Sequence, residues 1–571
     1  MKTKWRSNVI AQLEKDAEQF LNTSAVSISF DTYRQFMRNG DRQVYEEHYF
    51  LRRKRLTTFG LLRYLYPERE EYTAALENEI WQVCNEFTWC LPAHLDMQFE
   101  EQDYKTYKQT YQLQYTVDLF AAETAFTLAE LVDLFGEQLD GFLVEKVKIE
   151  IDRRVFAPFM ERTFHWEKAT HNWASVCGGS IGAAALYLLN GESKQTQIID
   201  RVIHTINHYL QGFEEDGACT EGYGYWQYGF GYFVYFADLL DRYLNIDLFE
   251  RPKVKAVAMF QQKVFLADNK VVNFSDAEPT AAPMLGLTHY LHEKFPEVHI
   301  PPETVASTRF VDHCGRWAPA IRELSWHDSK IKGMDWPQES YVMEHSSIFL
   351  SRTDQHAFAV KAGHNDEPHN HNDIGQFILY GRGNVFLRDL GSGQYHKDYF
   401  SDKRYQFICN SAEGHSVPVI NGDYQQEGAR FSGKIAQVKQ SSDNEEIELD
   451  LSCAYPEQLQ FIRKFDWDKS DRPKLVVSDD FVFETTPSSL VESFIAEDIP
   501  FDIVDNKIYL KGKEEILEIL FEKDKVLPSI KRKRFRNHQG EIEYYVHILC
   551  EVLSVTKNVS VKFEFKFSGG R

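Results

Sequence analysis

The chain has no C-x-x-C pair, no apolar run approaching roughly 20 residues, and no surplus of positive charge. Each absence removes a class of protein. Eight cysteines are scattered at Cys84, Cys90, Cys177, Cys219, Cys314, Cys409, Cys453 and Cys550; without close pairs they read as reduced, mostly buried thiols rather than zinc or dithiol sites. The missing apolar run argues against a membrane helix, and the opening MKTKWRSNVIAQLEKD puts Glu14 and Lys15 where a signal peptide needs its apolar stretch. A cytoplasmic protein is therefore expected, with no membrane partner. There is no P-loop, no G-x-S-x-G elbow, no H-E-x-x-H, and Gly178-Gly179 is not a dinucleotide fingerprint. The net charge of −22 speaks against a nucleic-acid surface, which relies on clustered Lys and Arg. It also requires that any anionic ligand meet a locally basic cleft in an acidic molecule.

What the sequence does hold is length and apolar material. Its 571 residues, 43% hydrophobic and 14% aromatic, are enough to fill more than one core, so two or three domains are expected. To about residue 300 the apolar spacing is helical. In ALENEIWQVCNEF, Leu76, Ile80, Val83, Cys84 and Phe87 fall on one face; DLFAAETAFTLAELVDLFG ends at Gly136 as a C-cap; IIDRVIHTINHYLQG and GYFVYFADLLDRYLN continue the series. Serial helices with short connections predict stacked helical hairpins, as a bundle or a closed toroid. Beyond about residue 310 the period shortens toward 2. NVSVKFEFKF alternates Val559, Val561, Phe563, Phe565 and Phe567 against polar neighbours, and FILYGRGNVFLRDLG reads as two strands around a turn at Gly381 to Asn384. No long helical pattern interrupts this half, which predicts an antiparallel sandwich; EEILEILFEKDK fits a strand or a short helix.

Three clusters carry candidate chemistry. The first is His369-Asn370-His371-Asn372-Asp373, followed by Asp389 and by His415 in SAEGHSVPVING. Two imidazoles and a carboxylate from neighbouring strands and loops suit Zn²⁺, while an H-x-H pair alone also occurs in ordinary polar loops. The second, Glu221-Gly222-Tyr223-Gly224-Tyr225-Trp226-Gln227-Tyr228, combines glycines with crowded aromatics. It reads either as a loop entering a helix whose rings line a sugar cleft or as core packing between helices. The third is Thr170-His171-Asn172-Trp173 before GGSIGAAALYLL. Thr170 could cap that helix, and an exposed helix start would suit an anion such as a uronate carboxylate; a plain helix start is the alternative.

In this order, on a helical-then-β background, the three clusters resemble the heparinase II/III-like family of polysaccharide lyases. The resemblance rests on HNW at His171 to Trp173, EDG-x-x-x-EG-x-x-YW from Glu215 to Trp226, and H-x-H-x-D followed by RDLGSGQY and GHS. It covers most of the chain, from about LENEIWQVCNEFTWCLPAHLD onward. It implies an α+β multidomain protein: an N-terminal incomplete (α/α) toroid, 1–310, followed by a C-terminal antiparallel β-sandwich, 311–571, with catalysis in the cleft between them. The implied reaction is β-elimination on a uronic-acid glycan such as hyaluronan, chondroitin or heparan sulfate.

On that resemblance Tyr225 is the base or acid, and Asn172, His171 and His369 neutralise the substrate carboxylate. His371, Asp389 and His415 match the ligands of a divalent metal, Zn²⁺ with a structural role. Glu221, Tyr223, Trp226, Tyr228 and Arg404 are the expected substrate contacts, although Arg404, like Arg153, Arg154 and Lys403, reads more readily as a solvated or salt-bridged surface charge. The sequence has HNW where some relatives have an Asn-His pair, so either His171 or Asn172 could face the carboxylate, and Tyr223 and Tyr228 compete with Tyr225. The expected partner is an anionic uronate-containing oligosaccharide or polysaccharide, and a homo-oligomer is left open. An alginate oligosaccharide lyase on the same fold is the near alternative. A toroid glycoside hydrolase, with Glu221 and Asp216 as its only obvious carboxylate pair, is the more distant one.

Overall fold

A computed structural model describes residues 3–24, 26–95, 114–456, 459–470 and 472–569. The last residue of the LENEIWQVCNEFTWCLPAHLD stretch, Asp96, lies outside them. The architecture is a helical toroid followed by an antiparallel β-sandwich. The described residues form two compact units, Met1–Phe213 with Tyr225–Ala258 and Ala282–Met334, and Glu214–Gly224 with Met259–Ala281 and Asp335–Arg571. The division between them runs at Met334, and two short segments of the N-terminal half belong with the sandwich. No described helix is long and apolar enough to cross a membrane.

In the helical unit, the helix Leu119–Phe135 starts where the Asp118 carboxylate accepts the Ala121 N–H at 2.8 Å, satisfying one of the unpaired donors at a helix start. It packs against Asn172–Leu188, which packs in turn against Ser193–Gln211. The small residues of GGSIGAAA serve close approach: a methyl group at Gly182 would stand 2.4 Å from the Phe236 ring of the helix Tyr223–Leu244. The helix Glu70–Cys84 buries Leu76, Ile80, Val83 and Cys84 as expected, but it ends before Phe87, which is exposed. The Trp89 indole N–H donates to the Val83 carbonyl at 2.9 Å, taking up a carbonyl of the last turn and leaving Phe87 off the helical face.

The sandwich unit holds two nine-stranded antiparallel sheets. Strand Asn558–Gly569 alternates as expected, burying Val559, Val561, Phe563, Phe565 and Phe567, and it lies between Lys474–Phe483 and Glu515–Phe521. The ambiguous EEILEILFEKDK is a strand, Glu515–Phe521, because both of its edges find partners in Lys507–Lys511 and Asn558–Gly569. The two sheets meet through aromatic rings, Phe377 to Phe465 at 5.4 Å and Phe494 to Phe563 at 4.9 Å between centroids. This core is the rigid support for the loops that follow.

Candidate active site

The segments 214–224 and 259–281 bring their polar residues into the sandwich unit. Gly222 has φ +104, and a methyl group there would stand 2.6 Å from the Ala277 Cβ, so only glycine lets the Glu221 loop lie against the Ser275–Ala277 segment. Two non-glycine residues beside this contact, Ser275 at φ +65 and His369 at φ +57, adopt the left-handed conformation that costs most residues energy. They are tied together where the Asp276 N–H donates to the His369 carbonyl at 3.2 Å.

Asp276 is the hub of the cluster, and nothing in its local sequence had marked it. Its Oδ2 accepts from His369 Nδ1 at 2.9 Å and from Arg404 Nη2 at 2.8 Å. Its Oδ1 accepts from His371 Nε2 at 3.1 Å and from the Tyr399 hydroxyl at 2.5 Å. Burial alone would push this carboxyl up, but the hydrogen bonds from both histidines and the Arg404 charge outweigh it and hold Asp276 well below the usual carboxylate range. With Nδ1 held by Asp276, the other ring nitrogen of His369, Nε2, lies 3.8 Å from Glu221 Oε2, and the side chain stays a quarter exposed. Glu221 is buried, and burial raises its carboxyl against the opposing charge of His369. Arg404, expected as a substrate contact, is committed to Asp276 and to the Asn370 carbonyl at 3.0 Å.

His371, Asp389 and His415 converge in the same unit, all fully buried. His415 Nδ1 lies 2.9 Å from the Ser411 carbonyl and therefore carries a proton, which leaves a lone pair on Nε2. His371 Nε2 is likewise committed to Asp276, leaving its lone pair on Nδ1. These two nitrogens face each other at 3.3 Å, and Asp389 Oδ2 stands 3.3 Å from His415 Nε2. Two imidazole acceptors and a carboxylate pointed at one position, with the far nitrogens oriented by oxygen acceptors, are the donor chemistry of a divalent cation such as Zn²⁺. Burial pushes the His371 imidazole down, toward the neutral form that a ligand needs. Burial would raise Asp389, but the His415 and His371 charges and the Gly391 N–H bring it below its usual value. His415 would be lowered by burial, yet Asp389 raises it, so a cation here competes with a proton.

The remaining candidates lie on the helical unit or at its entry. His171, not Thr170, caps the helix Asn172–Leu188: its Nδ1 accepts the Trp173 N–H at 3.4 Å. That short bridge orients the imidazole ring, while Asn172 is the first helical residue and buried. A methyl group at Gly229 would stand 3.0 Å from the Asn172 Cβ, and Ser175 Oγ donates to the Gly229 carbonyl at 2.7 Å. Tyr225 precedes Gly229 by four residues on the helix Tyr223–Leu244, hence on the same face, so Tyr225 and Asn172 belong to helix starts that pack together. Tyr225 is half-buried.

Its aromatic neighbours are held differently. Tyr223 is buried, its hydroxyl donating to Gln261 Oε1 at 2.8 Å and its ring against Phe265. Trp226 is buried, its indole N–H donating to the Val257 carbonyl at 2.7 Å. Tyr228 lies under the Arg316 guanidinium, 4.2 Å from its ring centroid. The core-packing alternative describes Tyr223 and Trp226, whereas Tyr228 is half-buried. Asp216 is also engaged: its oxygens accept the Ser346 N–H at 2.9 Å and the Ser346 hydroxyl at 2.8 Å.

The chain matches no protein-family model, and no curated protein matches it by sequence. Solved structures do match in fold. Heparan sulfate lyase HepC from Pedobacter heparinus is 13% identical at a TM-score of 0.65, the match covering all of this chain and 84% of that one. A structure of heparinase III is 12% identical at a TM-score of 0.64, over 99% and 91% of the two chains. Chondroitin AC lyase from Streptomyces coelicolor A3, in complex with chondroitin sulphate, is 7% identical at a TM-score of 0.54, over 100% and 80%. At these identities the likeness is one of fold.

Proposed function

We propose that this chain is a polysaccharide lyase that cleaves uronic-acid glycosaminoglycans by β-elimination, on oligosaccharides in the cytoplasm. The observation that carries the reading is His369: a strained, part-exposed imidazole, oriented by a buried ionised Asp276 and beside a carboxyl that burial keeps toward its neutral form. Energy stored in a left-handed backbone and a fixed ring orientation suits a residue that must meet substrate in one pose. The fold shared with the heparan sulfate and chondroitin AC lyase structures supports the same reaction class.

In this reading the Tyr225 oxygen removes the C5 proton of a uronate. The C–H electron pair forms the C4=C5 double bond, the C4–O bond breaks, and the departing oxygen takes its proton from Tyr225. Negative charge grows on the substrate carboxylate as the proton leaves, and His369, with His171 or Asn172, supplies the donors that stabilise it. Burial raises the Glu221 carboxyl, which favours the form that donates a hydrogen bond over the ionised form that would repel the substrate. His371, Asp389 and His415 would hold a divalent cation, which would supply structural cohesion to the loop that carries His369. Uronate glycans differ in epimer and sulfation, and alginate offers the same C5 proton, so substrate choice within the class is decided by assay.

The test is ultraviolet absorbance over time with hyaluronan, chondroitin, heparan and alginate oligosaccharides, comparing the native chain with Tyr225→Phe and His369→Ala. The expected result is a rise with at least one substrate, reduced by about 10² or more in each variant. New reducing ends without ultraviolet absorbance would replace elimination with hydrolysis and refute the reading.

A further inference from the structure

We propose that Asp373 is a fourth protein ligand of the metal centre, closing it to water and to substrate. This rests on the reading of His371, Asp389 and His415 as metal ligands and goes beyond it in the number and kind of donors. Asp373 is fully buried, and its two oxygens are treated unequally. Oδ1 accepts from Lys361 Nζ at 2.9 Å, whereas Oδ2 has no hydrogen-bond donor. A buried carboxylate oxygen with no partner is costly, and such atoms are rare unless an ion or water satisfies them.

The geometry points to an ion. Each of His371, Asp373, Asp389 and His415 offers a ligand atom, and the four atoms lie within 4.8 Å of one another. Ligands at about 2.0–2.2 Å from a tetrahedral zinc stand about 3.3–3.6 Å apart. Two of the pairs here already do, at 3.3 Å each for His371 Nδ1 to His415 Nε2 and for Asp389 Oδ2 to His415 Nε2. Asp373 completes an N₂O₂ set whose two carboxylates match the charge of a dication. Lys361, itself buried, holds one oxygen of Asp373 just as Asp276 holds His371 and the Ser411 carbonyl holds His415. All four donors come from the protein, which is the pattern of a structural site; a catalytic one keeps a position open.

The experiment uses the full chain, stripped with a chelator and titrated with Zn²⁺ and Co²⁺, for the wild type, Asp373→Asn and Asp389→Asn, with circular dichroism as a check on folding. The wild type is expected to bind one ion per chain and to give the intense visible bands of four-coordinate Co²⁺. Asp373→Asn is expected to lose at least about tenfold in affinity, comparable with Asp389→Asn, with weakened bands as water enters. Wild-type affinity and an unchanged spectrum in Asp373→Asn would overturn the fourth ligand while leaving the metal centre standing. A wild-type Co²⁺ spectrum of five- or six-coordinate type would overturn the closed site without needing any variant. No metal uptake by the wild type would overturn both readings.

Discussion

Replacing Asp276 with Asn perturbs the candidate active site with almost no change in volume. The carboxylate accepts His369 and Arg404 on Oδ2, and His371, Tyr399 and, at 3.5 Å, the Asn410 amide on Oδ1. An amide keeps one acceptor edge and presents an NH₂ group to donors on the other, whichever way it is turned. The charge-assisted hydrogen bonds on that edge are lost, each worth about 1.5–3 kcal/mol, except that the Tyr399 hydroxyl can turn to accept. If they are the pair to His369 and Arg404, the imidazole loses its orientation, and the roughly 3–6 kcal/mol at stake corresponds to about 10²–10⁴ in kcat. If the lost bond is the one to His371, metal retention suffers first. The assay is the initial rate of ultraviolet absorbance on whichever oligosaccharide the wild type cleaves, measured across substrate concentration, with bound metal determined on the same sample. A fall in kcat with little change in KM, or a measurable loss of metal, is expected. A folded Asp276→Asn protein with metal retained and kcat within about threefold of wild type refutes the hub role of Asp276.

Gly222→Ala forces a side chain onto a backbone at φ +104 and against the Ala277 Cβ, so it should cost about 1–3 kcal/mol in a thermal melt and lower kcat/KM by displacing Glu221. Arg463→Met should destabilise the sandwich by about 3–5 kcal/mol in denaturant titration, because it strands Asp479 and Glu492, both bound to the fully buried guanidinium. His547, buried with Ser493, is lowered to about 4 by burial, so below its ordinary value of 6.5 the unfolded chain takes up a proton that the folded chain refuses. Stability should therefore fall as pH drops from 6.5 toward 4, by about 3 kcal/mol from this group, and His547→Gln should shift the acid-unfolding midpoint to lower pH.

Much of the architecture was legible because periodicity is local. The alternation in NVSVKFEFKF reports which side of its strand is buried, while DLFAAETAFTLAELVDLFG forms the expected helix but is buried on every side over 119–131. Where period was uninformative, neighbours decided: EEILEILFEKDK is a strand because strands on both edges complete its hydrogen bonds. Phe87 was misread for a related reason, since the spacing continued past a helix end that Trp89 sets through its bond to the Val83 carbonyl.

By itself, the sequence determined the order of helices and strands, the three clusters of histidine and aromatic residues, and the residue types from which a metal centre and a proton-transfer site can be made. Tertiary structure alone decided which of them work together. Asp276 lies 93 positions from His369, in a segment without periodicity, and only folding places it between His369 and His371. The same holds for the segments 214–224 and 259–281, which belong with the sandwich although they lie among helices in the chain, and for the unpaired oxygen of Asp373. The physical reason is that burial patterns repeat along a chain, whereas the partner of a buried loop carboxylate is fixed by long-range packing that leaves no spacing to read.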